Sequence, residues 1–132
     1  MSAEFILDTD TVSFALRGVG NVGAALLSRR PSQVCVSSLT VAELRYGAER
    51  RRSRKLSSLI DQFMSAMTVA PFDQAAADEF GAVAGALARR GVPIGQIDTL
   101  IAAHALSLGV VLVTNNTRHF SRVKGLRVDN WT

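Results

Sequence analysis

Apolar residues in this chain fall into short runs separated by longer stretches of helical period. The runs are FIL (5–7), VCVS (34–37), TVAPF (68–72) and VVLVT (110–114), with a weaker LRV (126–128). Between them the spacing predicts helices near 11–17, 20–29, 40–52, 54–67, 74–90 and 97–108. The helix over 74–90 shows the signals most fully: Asp73 is suited to its N-cap, Phe80, Val83 and Leu87 share one stripe, and Gly91 and Pro93 stop it. Strands alternating with helices predict an α/β fold, a central parallel sheet flanked by helices on both faces. No repeat, low-complexity segment or linker interrupts the pattern, so residues 1–132 are expected to form one domain.

In such sheets functional groups collect at the carboxyl edge, where strands end and helices begin. Asp8 directly follows FIL, Glu43 lies in what reads as the first turn of TVAELRYGAERR, and Asp98 opens the helix of PIGQIDTLIAAHAL. The run VVLV ends in Thr114, Asn115 and Asn116 at the same edge. Three carboxylates and a polar cluster from four separate junctions suit a hard cation such as Mg²⁺ or Mn²⁺. Each residue also has a plainer account. Thr40-Val-Ala-Glu43 is a capping-box pattern, which for Glu43 alone is the better reading. Asp98 is favoured by the helix dipole, and Asn116 fits turn chemistry. Asp8, ending an apolar strand, has the weakest structural excuse. Asp10 fits an N-cap for a helix starting at Thr11, or support for Asp8 as a strand neighbour two residues on. Taken as a pair, Asp8 and Asp10 also match the D-x-D-x-[TV] opening of haloacid-dehalogenase-type phosphatases, as nucleophile and general acid/base. That chemistry wants a lysine and late acids, and VVLVTNN supplies no acid.

Composition narrows the class. With 132 residues, 48% of them apolar, the chain can bury a substantial core. Its longest apolar stretch, LIAAHALSLGVVLV, is too short to span a bilayer, and Glu4 argues against a signal peptide. The single cysteine, Cys35, excludes an internal disulfide and a cysteine metal cage, reads as a buried strand thiol, and favours the cytoplasm. Lys55 and Lys124 are the only lysines among 15 basic residues, so the net charge of +4 is carried by arginine, whose planar fork suits phosphate or carboxylate partners. Arg45, Arg50, Arg51, Arg52, Arg54 and Lys55 crowd one segment. They could contact RNA backbone, dock an acidic protein partner, or merely solvate a helix end. Low aromatic content, with Tyr46 and Trp131 the main polar-edged members, gives little sign of base stacking. His104 shares a stripe with Ile97, Ile101 and Leu108 and reads as a packed core histidine.

The blocks FILDTD, SSLTVAELRYGAERR and PIGQIDTLIAAHALSLGVVLVTNNTRHFSRVKGLRVDNW resemble, in order and nearly end to end, PIN-domain proteins of the VapC toxin type. That resemblance implies a metal-dependent endoribonuclease, acting on RNA and in some members on tRNA, with a VapB-type antitoxin as partner and a homodimeric assembly. Carried over by position, Asp8, Glu43 and Asp98 would be the catalytic acids, Asp8 and Asp98 the main ligands of one or two Mg²⁺ or Mn²⁺ ions, and Asn116 part of the site. Two departures from the family pattern stand out. The TNNTRHF block carries Asn116 and His119 where an acid is common, and Asp10 stands where Asn is common. Thr114, Asp10 and His119 become candidates for supporting roles, His119 otherwise reading as a surface residue. A PIN-like binding module without catalysis is the remaining alternative.

Overall fold

The computed structural model describes residues 3–132; Met1 and Ser2 lie outside the described residues. Five strands, β1 (Phe5–Leu7), β2 (Val34–Ser37), β3 (Thr68–Ala70), β4 (Val111–Val113) and β5 (Val128–Asp129), form one sheet in the order β3-β2-β1-β4-β5. Every pairing is parallel, with Leu7 opposite both Val36 and Val113. Seven helices connect them: α1 (Thr9–Arg17), α2 (Val22–Leu27), α3 (Ser38–Arg51), α4 (Arg54–Ser65), α5 (Gln74–Arg90), α6 (Gln96–Leu108) and α7 (Thr117–Phe120).

Two cores follow from the period-2 alternation of the strands. Ile6, Cys35 and Leu112 point to one face and pack with Val83, Leu87, Ile101 and Phe120, from α5, α6 and α7. Leu7, Val34, Val36 and Val113 point to the other and pack with Val12, Val22, Leu44, Ile60 and Trp131. The central strands are buried on both faces, which is why they read as unbroken apolar runs. Strand β3, at one edge, leaves Val69 exposed.

The α/β expectation holds and the expected helices form close to their expected places, but several local readings change. Asp8, not Asp10, caps α1: its Oδ1 accepts from the Thr11 N–H at 2.8 Å, and Asp10 lies within the first helical turn. Since α1 starts at Thr9, Asp10 is not a strand neighbour of Asp8 either. Ser37 caps α3 by accepting from the Leu39 N–H, so Thr40 is helical and Glu43 sits in the second turn. The capping box is therefore not formed, because the helix begins two residues earlier than the pattern suggested. Asp73 does cap α5, and Gly91 ends it in the left-handed conformation at φ 68°. Pro71 follows β3 and Leu126–Arg127 precede β5, so both strands are shorter or shifted relative to their apolar runs. The short helix α7 was not legible as one, having a single fully buried residue, Phe120.

The chain runs outward from β1 to β2 and β3, then crosses to β4 on the other side of β1. The carboxyl ends of β1 and β4 thus form the topological switch point, where open α/β sheets leave a crevice. Asp8 leaves β1 and Thr114 leaves β4 at that place.

Candidate active site

Asp8 is held from several directions. Its backbone N–H donates to the Val113 carbonyl at 3.0 Å, and the Thr11 hydroxyl donates to the same carbonyl at 3.1 Å, locking the start of α1 onto β4. The residue is only 6% exposed. Burial pushes its pKa above the ordinary value, repulsion from Asp10 adds to this, and hydrogen bonding from Thr114 and Thr11 works against it. Thr114, fully buried, in turn accepts from the Asn116 N–H at 3.0 Å. Thr114 thus lies beside Asp8, and Asn116 braces Thr114 through its backbone while the residue itself stays exposed.

Glu43 projects from α3 toward α1, where the Thr9 hydroxyl donates to Oε1 at 2.5 Å; Thr9 also shares a 3.1 Å hydrogen bond with the Thr40 hydroxyl. Thr40, expected to cap the helix, instead joins Thr9 in holding Glu43 at the site. Burial raises the Glu43 pKa first, and repulsion from Asp98, Asp10 and Asp8 raises it further, against the Thr9 hydrogen bond. Asp98 sits in the opening turn of α6, behind Gly95, whose φ of 93° belongs to a glycine-favouring region. Its pKa is also raised, by burial and then by Asp10, although His119 opposes the shift. The acids drawn from the α1 cap, α3 and α6 consequently share one electrostatic neighbourhood, and each negative charge there makes the next harder to place.

His119 is not a free surface residue. Its Nε2 lies 2.8 Å from the Ile94 carbonyl and 3.1 Å from Asp98 Oδ2, and its side chain is 23% exposed. Asp10 is exposed on α1 and acts on all three acids through its charge. With Thr9, Ser13, Arg17, Glu43 and Arg51 it borders a cavity of about 320 Å³ that leucines also line. Of the arginine-rich segment, only Arg51 lines that cavity. Arg45 pairs with Asp61 at 2.6 Å and ties α3 to α4, Arg50 is exposed, Arg52 closes α3 in the left-handed conformation at φ 50°, and Arg54 opens α4.

Three hard, anionic oxygen donors, with Glu43 repelled by the other two, match the chemistry of a divalent cation site. As the side chains stand, however, no group of three His, Cys, Asp or Glu residues among the described residues is gathered closely enough to hold an ion. Thr9 and His119 each occupy an oxygen of one of the acids. The donor set fits the cation in type and in charge, and side-chain adjustment would have to complete it.

Comparison with known proteins identifies the family and the fold. The PIN domain family model matches residues 5–126. The chain is 38% identical over 130 residues to the tRNA(fMet)-specific endonuclease VapC of Shigella flexneri, covering 98% of each. This chain is a PIN-domain protein of the VapC family. It is also 37% identical to Ribonuclease VapC2 of Haemophilus influenzae, over 97% of this chain and 98% of that one. In structure it is similar to a chain of the DNA-bound VapBC of Salmonella typhimurium, with TM-score 0.91, 36% identity and coverage of 98% and 99%. VapBC2 of Rickettsia felis, bound to a DNA fragment from its promoter, matches at TM-score 0.89 and 28% identity, covering 97% and 98%.

Membership in the VapC family removes the dehalogenase reading of Asp8 and Asp10, whose second acid is helical here. Sequence reasoning missed Thr9, Thr40 and the Ile94 carbonyl. The alternation of threonines in LDTDT was a local signal for Thr9 alone, and each of the three acts on a partner remote in the chain. Cys35 is buried, its thiol pushed up to about 11 by desolvation, as a packed strand residue should be. His104 is also buried, its Nδ1 2.8 Å from the Ser37 hydroxyl, although Ile97 and Leu108 of its expected stripe are exposed. Burial lowers its pKa. Tyr46 is exposed and Trp131 buried, its indole N–H donating to Asp129 at 3.1 Å. Among the described residues no helix is long and apolar enough to cross a membrane.

Proposed function

We propose that this chain is an endoribonuclease, the toxin of a toxin–antitoxin pair, hydrolysing phosphodiester bonds of RNA, with tRNA among its candidate substrates. The observation that carries the reading is the convergence of Asp8, Glu43 and Asp98 on the switch point of the sheet, where the charges of Asp8 and Asp98 both act on Glu43. In a protein of net charge +4, such a concentration of acid is costly unless a cation offsets it. Asp8 and Asp98 would hold Mg²⁺ or Mn²⁺, with Glu43 as a further oxygen donor. The cation, when bound, supplies Lewis acidity, lowering the pKa of water and offsetting charge on the scissile phosphate.

The chain's own residues supply position. The backbone of Asp8 is fixed by the β1–β4 edge, and the Thr9 hydroxyl holds the Glu43 carboxylate. Arg51, on the rim of the adjoining cavity, would contact an RNA phosphate, and Arg50, Arg52 and Arg54, near it in the chain, would contact RNA or antitoxin. Arg45 is assigned to the α3–α4 contact instead. Exposed Asn116 offers a polar contact at the end of β4. In the reaction, the oxygen of water bonds to phosphorus, the P–O3′ bond breaks and a proton passes to O3′, leaving 5′-phosphate and 3′-hydroxyl ends. The relatives solved as VapBC complexes support a VapB-type antitoxin as partner; a homodimer and a cytoplasmic site of action complete the proposal.

Purified protein incubated with total RNA and Mn²⁺ or Mg²⁺ tests this reading. Cleavage that EDTA stops and that Asp8→Asn lacks is the expected result. No cleavage with either ion would favour a binding module without catalysis, and equal cleavage by Asp8→Asn would overturn the acid site as its source.

A further inference from the structure

The contact of His119 with both the Ile94 carbonyl and Asp98 Oδ2 has a single chemical solution. A carbonyl oxygen only accepts hydrogen bonds, so the Nε2 that approaches it at 2.8 Å must carry a proton. The same N–H is then shared with the Asp98 carboxylate at 3.1 Å. Both the neutral Nε2–H tautomer and the imidazolium provide this donor, so the contact does not depend on the charge of the ring.

The platform under the ring is braced independently. The His119 and Phe120 rings meet edge to face with centroids 5.5 Å apart, and Phe120 is buried in the core shared with α5 and α6. Arg122, three residues beyond His119, donates to the Pro93 carbonyl at 3.3 Å, and Arg90 donates to the Arg122 carbonyl at 2.7 Å. The segment after β4 is thereby tied at two places to the end of α5 and the loop that leads into α6. Asp98 needs such a tie, because its side chain is 44% exposed and its helix begins at Gly95 with no side-chain cap. Asp8 is held by the strand edge, Glu43 by Thr9, and Asp98 by His119.

We propose that His119 is a positioning residue for the acid site: its Nε2–H, anchored on the Ile94 carbonyl, fixes the Asp98 carboxylate by one oxygen and leaves Oδ1 to face a divalent cation. Partners that orient ligating groups in this way typically contribute about tenfold or more to metal affinity. The inference rests on the nuclease reading of the acid cluster, and deepens it by giving work to a residue that stands where an acid is common in the family.

The test is Mn²⁺ binding to the full chain without RNA, read from the electron paramagnetic resonance of free Mn²⁺, beside the melting temperature of each variant. His119→Phe keeps a ring against Phe120 but has no N–H, His119→Ala loses both, and His119→Gln restores a donor at nearly the same reach. The expected result is binding weakened about tenfold or more in His119→Phe and His119→Ala, and within a few-fold of wild type in His119→Gln. RNA cleavage by His119→Phe should recover as Mn²⁺ is raised, which a general loss of structure would not allow. If wild type binds Mn²⁺ and His119→Phe, still folded, binds it equally well, the inference is overturned while the nuclease reading stands. If wild type takes up no Mn²⁺, the cation reading of the acid site fails, and this inference with it.

Discussion

The two ends of the acid site are built in opposite ways. Asp8 belongs to the sheet: it is almost fully buried, caps its own helix, and its backbone bonds to the neighbouring strand. Asp98 belongs to a helix entrance: it is nearly half exposed, follows a glycine-led turn, and is held by a histidine 21 residues away in the chain. Rigidity at the first therefore comes from secondary structure, and at the second from one side-chain contact. A site of this kind keeps one carboxylate fixed and lets the other be tuned, so changes around Asp8 should disturb folding as well as chemistry, and changes around Asp98 mainly chemistry.

In catalysis the two ends should fail alike, and most severely. Asp8→Asn and Asp98→Asn should each lower RNA cleavage by at least about a thousandfold, the loss of several kcal/mol of charge stabilisation, measured as initial rates on a labelled RNA. Folded, active Asp98→Asn protein would show that only the sheet end matters. A smaller loss, about 1 kcal/mol or up to roughly tenfold in rate, is expected for Thr9→Val, which frees the Glu43 carboxylate with little change in side-chain shape.

Stability separates the ends. Asp8→Ala removes the α1 cap and should cost about 1 kcal/mol, a fall of roughly 4 °C in melting temperature. Asp8→Asn retains a capping oxygen and removes an ill-solvated charge, so the metal-free protein should melt at or above the wild-type temperature. The sign follows from the raised pKa. A carboxyl that binds its proton more tightly in the folded state contributes stability below its ordinary pKa of 3.8, and that contribution is lost as pH rises through the higher folded value. The advantage of Asp8→Asn over wild type should accordingly be largest near neutrality and shrink on acidification, in paired thermal melts across pH. An advantage that grows toward acid would contradict the burial argument.

The mildest change lies outside both ends. Arg52 closes α3 at φ 50°, a conformation that glycine adopts more easily. Arg52→Gly should raise the melting temperature slightly, by the equivalent of at most about 1 kcal/mol, in thermal melts beside wild type.

The same contrast explains what could be read before the fold was known. Asp8 stood out because an apolar strand followed by an acid is a local pattern, although the cap it makes on α1 is a structural task that the pattern assigned to Asp10 instead. The layering was legible because Ile6 and Leu7, or Leu112 and Val113, alternate between two cores. Boundaries were misjudged where competing caps stood close together: Asp8 with Asp10, and Ser37 with Thr40. Only the strand ends decide between them, and strand length is set by pairing with remote residues. Glu43 looked like half of a capping box for the same reason, its partner Thr9 lying 34 residues away. His119 was least legible, since its two acceptors, Ile94 and Asp98, approach it only when the loop before α6 folds back beside α7.

The proposed activity turns on acids from both ends acting together on RNA. The decisive measurement is sequencing of the RNA ends that appear after induced expression, with Asp8→Asn and Asp98→Asn as parallel controls. New 5′-phosphate ends are expected with wild type and none with either variant; the same ends in all three, or in none, would refute joint action.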